Sequence, residues 1–278
     1  MGVVVAIVSP GNMGAAVGRR LTDRGAQVLT TLADRSTASA ERAASAGMHA
    51  VPLEKLTDAG LILSIVPPGV AEPFAAQLAP ALRTAPRKPV FVDCNAISPA
   101  TAQRIASLIE ATGALFVDAG IIGPPPSAQG AQPTIFASGE HAPRVAVLRD
   151  AGLDIRVLDA PVGAASALKM CFAGINKGLI AVATAMTLAA MRSGAAKELH
   201  AVLTEREPAL LASLSRKIPD MLPKAHRWVA EMQEICQFVA PDGGGEIYAG
   251  AAQMYERVAR AMASDAGELA ALRNFFAP

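Results

Sequence analysis

The sequence predicts an α/β domain built on a doubly wound, mainly parallel sheet, followed by an all-α domain. Two observations predict it. Over residues 1–161, short β-branched runs alternate with segments of helical spacing, a pattern that calls for parallel strands covered by helices on both faces. Beyond Gly163 no convincing strand appears, and the remainder reads as helices. The change of pattern near Pro161–Gly163 sets the expected boundary, with domains at 1–161 and 162–278. A chain of 278 residues suits one large or two modest domains, and 52% hydrophobic content supplies the cores.

Each element has its own local signal. VVVAIV (3–8) is the first strand. A glycine-containing turn follows, then a helix over Met13–Arg24 with Met13, Val17 and Leu21 on one face, closed by Gly25. QVLTTL (27–32) is the second strand, and Ala38–Ala46 a helix ended by Gly47. LILSIV (61–66) is a strand stopped by Pro67 and Pro68. PVFVD (89–93) is the next, and Ser98-Pro99 opens a helix. LFVDAGI (115–121), PTIFAS (133–138) and IRVLDA (155–160) complete the sheet. Residues 164–193 form one long apolar helix, and 197–278 several more.

Composition excludes several classes. Charged residues are 18%, too few for an intrinsically disordered chain of high charge. A net charge of +1 provides no basic field, and 4% aromatics provide no stacking platform, so nucleic acid is not an expected partner. Cys94, Cys171 and Cys236 are dispersed and form no CxxC, which fits a reducing cytoplasm. His49, His141, His200 and His226 are too scattered for a metal site by spacing. The N-terminus lacks the basic region of a signal peptide. The apolar stretch Gly178–Met191 is about 14 residues, short of the roughly 20 that span a bilayer, so a soluble protein with no membrane partner is expected.

The chemistry starts at Ser9-Pro10-Gly11-Asn12-Met13-Gly14, between the first strand and the first helix. In a Rossmann domain this turn aims backbone N–H groups at a dinucleotide pyrophosphate. Gly11 would permit close approach and Gly14 close helix–strand packing; Ser9 stands where the first glycine of G-x-G-x-x-G falls. The end of the second strand, where the adenine ribose should lie, reads Asp34-Arg35-Ser36-Thr37. Arg35 and Ser36 offer donors to a 2′-phosphate, which favours NADP and leaves NAD as the alternative. Asp34 is the discordant residue and reads as a cap for the next helix.

These residues resemble the β-hydroxyacid dehydrogenase family, which includes 3-hydroxyisobutyrate dehydrogenase and the cofactor domain of 6-phosphogluconate dehydrogenase. AIVSPGNMGAAVGRRL is similar to that family's cofactor turn. SIVPP (64–68), with Val66 and Pro67, resembles its cofactor-flanking loop. VDCNAISP (92–99) resembles its segment beside the nicotinamide; Ala96 replaces the usual threonine and leaves Asn95 as the nearest polar group. VDAGIIGPPP (117–126) is similar to its substrate loop, but Ile122, Gly123 and Pro124 stand where Ser-Gly-Gly is usual, implying a bulkier or less polar substrate. VGAASALKM (162–170) resembles the start of the interdomain helix that carries the catalytic lysine, here Lys169. KAHRWVAEMQEI (224–235) resembles a 6-phosphogluconate-dehydrogenase-like subfamily with its own helical C-terminal domain.

The resemblance implies hydride transfer between NADP or NAD and a small hydroxy acid or related alcohol or carbonyl. A cleft lysine would give or take the hydroxyl proton. Lys169 lies in an otherwise apolar run. Ser166, three residues back, and Asn176, about 20° away around a helix axis, could share a polar stripe with it; Lys177, roughly 80° away, is the rival lysine. Phe172 and Ala173 stand where the family has an asparagine pair, with Asn176 as a possible substitute. Trp228 and Glu231 are candidates for a substrate wall, or belong to a packing helix with Met232 and Ile235. The glycine loop 241–245 reads as a lid or a turn. The resemblance also implies a homodimer through the helical domain. The alternatives are an imine reductase-like enzyme, a related family that usually replaces the lysine, and a non-catalytic dinucleotide-binding or redox-sensing protein.

Overall fold

The computed structural model describes residues 3–127, 130, 132–264 and 267–277. The chain divides into two compact units, Met1–Met170 and Cys171–Pro278.

In the first unit, eight strands form one sheet: β1 (Val4–Ile7), β2 (Gln27–Thr30), β3 (His49–Ala50), β4 (Leu61–Ser64), β5 (Val90–Asp93), β6 (Leu115–Ile122), β7 (Thr134–Ser138) and β8 (Asp154–Val157). Their spatial order is β3-β2-β1-β4-β5-β6-β7-β8. All neighbours pair in parallel except β6 and β7, which are antiparallel. The connecting helices are α1 (Asn12–Thr22), α2 (Thr37–Ser45), α3 (Pro68–Thr84) and α4 (Pro99–Glu110).

The strands bury residues on both faces, as a parallel sheet between helix layers must. Val5, Ile7, Val90, Val92, Val117 and Ala119 join Val17, Leu21 and Ala43 in one core. The alternate residues Ala6, Val8, Ile62, Phe91 and Phe116 join Phe74, Leu78, Ile105 and Ile109 in the other. Phe91 and Phe116 are register partners, and their rings stack with centroids 6.2 Å apart.

Several boundaries differ from the sequence expectation. LILSIV is a strand only through Ser64, and IRVLDA only through Val157. The 17-residue α3 is absent from the sequence reading because its three prolines look like breakers. Pro68 opens the helix, where a missing N–H costs nothing. Pro73 and Pro80 lie inside it, and Phe74, Ala75, Leu78 and Leu82 are buried along its length. Packing of that face outweighs the lost backbone bonds. The two-residue edge strand β3 and the 3-10 segments Leu53–Asp58 and Ala142–Arg149 also gave too little pattern to read.

The long helix α5 (Ala164–Arg192) is of a length and composition that could cross a membrane. The second unit continues with α6 (Ala196–Arg206), α7 (Pro208–Met221), α8 (Ala225–Val239), α9 (Gly245–Ala263) and α10 (Gly267–Phe275). Leu211, Leu214, Ile218 and Met221 form the buried stripe of α7; Met232 and Ile235 serve α8; Tyr255 and Val258 serve α9. The glycine loop is a turn from α8 to α9, reversed at Gly243 with φ 79°.

Candidate functional site

Strand order reverses direction at β1, which has β2 on one side and β4 on the other. In open α/β sheets, ligands bind at the carboxyl ends of the strands beside such a switch point. The turns leaving β1, β4 and β5, and the end of β6, supply the candidate residues there.

After β1 the chain turns through Ser9–Gly11 into α1. A Cβ on Gly14 would lie 2.0 Å from the Ser9 carbonyl oxygen, so only glycine lets the helix sit this close to the turn. A Cβ on Gly11 would meet nothing within 4 Å, so the backbone there borders open space. The N-terminus of α1 has no side-chain cap and no acidic residue in its first turn. Asn12 and Met13 form that turn. Uncapped amides beside an open glycine suit a dinucleotide pyrophosphate.

At the end of β2, Asp34 adopts the left-handed conformation with φ 57°. It does not cap α2. Ser36 does, accepting from the Ser39 backbone N–H at 3.3 Å. Asp34 instead makes the reversal that delivers Ser36 to the helix start, a conformation Asp tolerates better than most residues. Arg35 lies between these two. Arg42, absent from the sequence reading, reaches back from α2: its Nε donates to the Pro10 carbonyl at 2.9 Å and its Nη2 to Ser39 Oγ at 2.9 Å. One guanidinium thus links the phosphate turn to the start of α2.

The β4 and β5 turns are joined by Asn95. Its Oδ1 accepts from the Val66 N–H at 2.6 Å, and its Nδ2 donates to Ser64 Oγ and Asp93 Oδ2, both at 3.0 Å. The amide of Asn95 is therefore engaged in holding the Val66–Pro67 turn. Burial pushes the Asp93 carboxyl up to about 7, against the opposing effect of N–H donation from Asn95; the Asp118 charge adds to the rise.

On β6, Gly120 is the point of closest approach to α5. A Cβ there would stand 2.7 Å from the Ala165 carbonyl oxygen and 3.0 Å from Lys169 Cβ. Lys169 is half-buried against this strand. Ile122 ends the same strand, Gly123 follows with φ 122° against Pro133, and Pro124 is exposed. The Ser166 hydroxyl donates to Asp118 Oδ1 at 2.5 Å.

In the second unit, Asn176 Nδ2 donates to the Phe172 carbonyl at 3.0 Å and its Oδ1 accepts from Lys217 at 3.2 Å. Lys177, the rival lysine, pairs with Glu231 and lies 4.7 Å from the centroid of the Trp228 ring. Trp228 meets Tyr255 edge-on at 5.2 Å, and Tyr255 Oη donates to the Lys177 carbonyl at 2.5 Å. Trp228 and Glu231 are thus brought together with Lys177 in one packed cluster.

Comparison with known proteins gives two domain matches. The NAD binding domain of 6-phosphogluconate dehydrogenase matches residues 4–149, and a domain of unknown function (DUF1932) matches residues 190–258. An uncharacterized 28.5 kDa protein in the 7S RNA 5′ region of Methanothermus fervidus is 30% identical over 152 residues, 54% of this chain. The chain covers 57% of that relative's length. Among solved structures, the conserved protein MTH1747, of unknown function and described as similar to 3-hydroxyacid dehydrogenases, is 29% identical, with 94% and 99% of the two chains covered and a TM-score of 0.71. Mycobacterium tuberculosis 3-hydroxyisobutyrate dehydrogenase with L-serine shares the fold at 20% identity, 94% of each chain and TM-score 0.71. A Myxococcus stipitatus imine reductase with NADP+ shares it at 18% identity, 95% and 96% coverage and TM-score 0.58.

Proposed function

The chain belongs to the family of the NAD binding domain of 6-phosphogluconate dehydrogenase, and from that premise we propose that it is a 3-hydroxyisobutyrate dehydrogenase-like, NAD(P)-dependent oxidoreductase acting on a small hydroxy acid or related alcohol or carbonyl. The observation that carries the reading is Lys169, rooted against Gly120 two residues beyond the register pair Asp93–Asp118 that ends β5. That position shares the carboxyl edge of the sheet with the turns at Ser9–Gly14 and Val66–Pro67.

A nicotinamide dinucleotide, when bound, supplies or accepts the hydride. The amides of Gly11–Gly14 bind its pyrophosphate, and Arg35 with Ser36 binds a 2′-phosphate, so NADP is the preferred form. Lys169 moves the proton: as an ammonium it donates to the substrate oxygen during reduction, and as an amine it accepts the hydroxyl proton during oxidation. Ile122, Gly123 and Pro124 border that oxygen and favour a substrate with an apolar body.

We further propose a homodimer. Phe172, Ile175, Leu179, Val182 and Met186 are exposed on one stripe of α5 at alternating spacings of three and four, the seam pattern of paired helices.

The test is thermal stability with NADPH, NADP, NADH and NAD in parallel, followed by a screen of hydroxy acids at the nicotinamide absorbance. A shift favouring the phosphorylated pair is expected. No shift with any of the four would reject the reading. Lys169→Ala should keep the cofactor shift and lose turnover; a non-catalytic dinucleotide sensor would show no turnover to lose.

A further inference from the structure

We infer that Asp118 is the positioning residue for Lys169: a buried carboxylate on β6 clamps the first turn of α5 and so sets where the lysine stands. The inference rests on the proposed role of Lys169.

The clamp is built from two register partners on antiparallel strands, Asp118 on β6 and Ser138 on β7. Both side chains are fully buried, as is Ser166. Asp118 Oδ2 accepts from the Gly163 N–H at 2.9 Å, the Ser166 N–H at 3.1 Å and Ser138 Oγ at 2.9 Å. Asp118 Oδ1 accepts from Ser166 Oγ. Ser138 Oγ in turn accepts from the Ala165 N–H at 3.0 Å. Three amides at the start of α5 thereby find acceptors on strands that lie 27 to 48 residues earlier in sequence. Buried helix-start amides need such partners, and a carboxylate at that end also complements the helix dipole.

Two residues along the same face of β6, Gly120 supplies the second contact. The bare backbone there receives the Ala165 carbonyl and the Lys169 stem. A polar clamp fixes the height and rotation of the helix start, and the glycine notch fixes its distance from the strand. Lys169 lies one turn beyond the clamped amides, so its root has little remaining freedom. Catalytic groups displaced by about 1 Å lose on the order of a hundredfold in rate, which gives such a clamp a functional role as well as a structural one.

The test reads the lysine directly and needs no substrate. Purified wild-type protein and Asp118→Asn are treated with trinitrobenzenesulfonate across a pH series, and labelling of Lys169 and Lys177 is followed by peptide mass spectrometry. Asp118→Asn should raise the Lys169 labelling rate more than threefold and move its pH midpoint, with Lys177 unchanged as the internal reference. A rise of threefold or less, or an equal rise at Lys177, overturns the inference. Should Asp118→Asn fail to fold, Ser138→Ala is read against the same threshold. Thermal shift with NADPH is measured on the same samples. Its absence in the wild type rejects the cofactor reading alone, whereas an unmoved Lys169 rejects the positioning role alone.

Discussion

Asp93 and Asn95 hold each other at the end of β5: the Asn95 backbone N–H donates to Asp93 Oδ1 and its side-chain amide to Asp93 Oδ2, each at 3.0 Å. Through Asn95 the carboxyl is tied to the Val66 N–H and hence to the β4 turn. Both residues are buried, and no basic side chain is among the causes that move Asp93.

A carboxyl raised from 3.8 to about 7 holds a proton in the folded state that the unfolded chain releases at lower pH. Its contribution to stability is complete below about pH 4 and is lost as pH rises through 7. At 1.36 kcal/mol per unit, the loss is about 4 kcal/mol. Urea unfolding of the wild type and Asp93→Asn at pH 4 to 8 should show the wild type losing roughly that amount relative to the variant. Parallel curves would place the titration elsewhere.

Gly14→Ala drives a methyl into the Ser9 carbonyl. Backbone cannot yield as a side-chain end can, so stability should fall by about 1–3 kcal/mol. The NADPH-induced rise in melting temperature should vanish with it. Gly11→Ala, facing open space, should leave stability unchanged and weaken only the cofactor response.

Arg35 and Arg42 should separate in cofactor titrations. Arg35→Ala should weaken NADPH about tenfold and leave NADH unchanged, the loss expected for one charge-assisted contact. Arg42→Ala should weaken both, because its guanidinium supports the Pro10 carbonyl of the shared turn. Equal affinity for NADPH in the Arg35 variant would remove the case for NADP.

Glu231→Gln leaves Lys177 largely buried without its counter-charge. The cost should be about 2–4 kcal/mol by chemical denaturation, with cofactor affinity unchanged. A large change in substrate KM with unaltered stability would instead favour the substrate-wall role for Glu231.

Ile175→Glu with Met186→Glu places two charges on side chains that are 71% and 61% exposed, so folding should survive. Light scattering after size exclusion should show a dimer for the wild type and a monomer for the double variant. A wild-type monomer would reject the dimer proposal.

Much of the site was legible locally. Gly11 and Gly14 follow from the spacing of one strand and one helix; a Cβ on Gly14 would meet the Ser9 carbonyl, and one on Gly11 would meet nothing within 4 Å. Lys169 stood out because an apolar run offers a lysine no polar face to share. Helical spacing says that Ser166 and Asn176 share a face with Lys169 and not what that face meets: Ser166 donates to Asp118, and Asn176 bonds the Phe172 carbonyl and Lys217. Arg42 and Asp118 were missed. The i, i+3 relation of Ser39 to Arg42 and the acid within VDAGII were the available signals, and neither shows a partner.

The sequence by itself determined the class of fold, the alternation of strands and helices, the turn at Ser9–Gly14 and the lysine of α5. Those features depend on neighbours within one strand or one helical turn. Tertiary structure decided the pairings: Arg42 with Pro10, 32 residues apart; Asn95 with Val66, 29 apart; Asp118 with Ser166, 48 apart; Lys177 with Glu231, 54 apart. Register and helix rotation choose such partners, and buried polar groups must accept whichever donors the packed chain brings within reach.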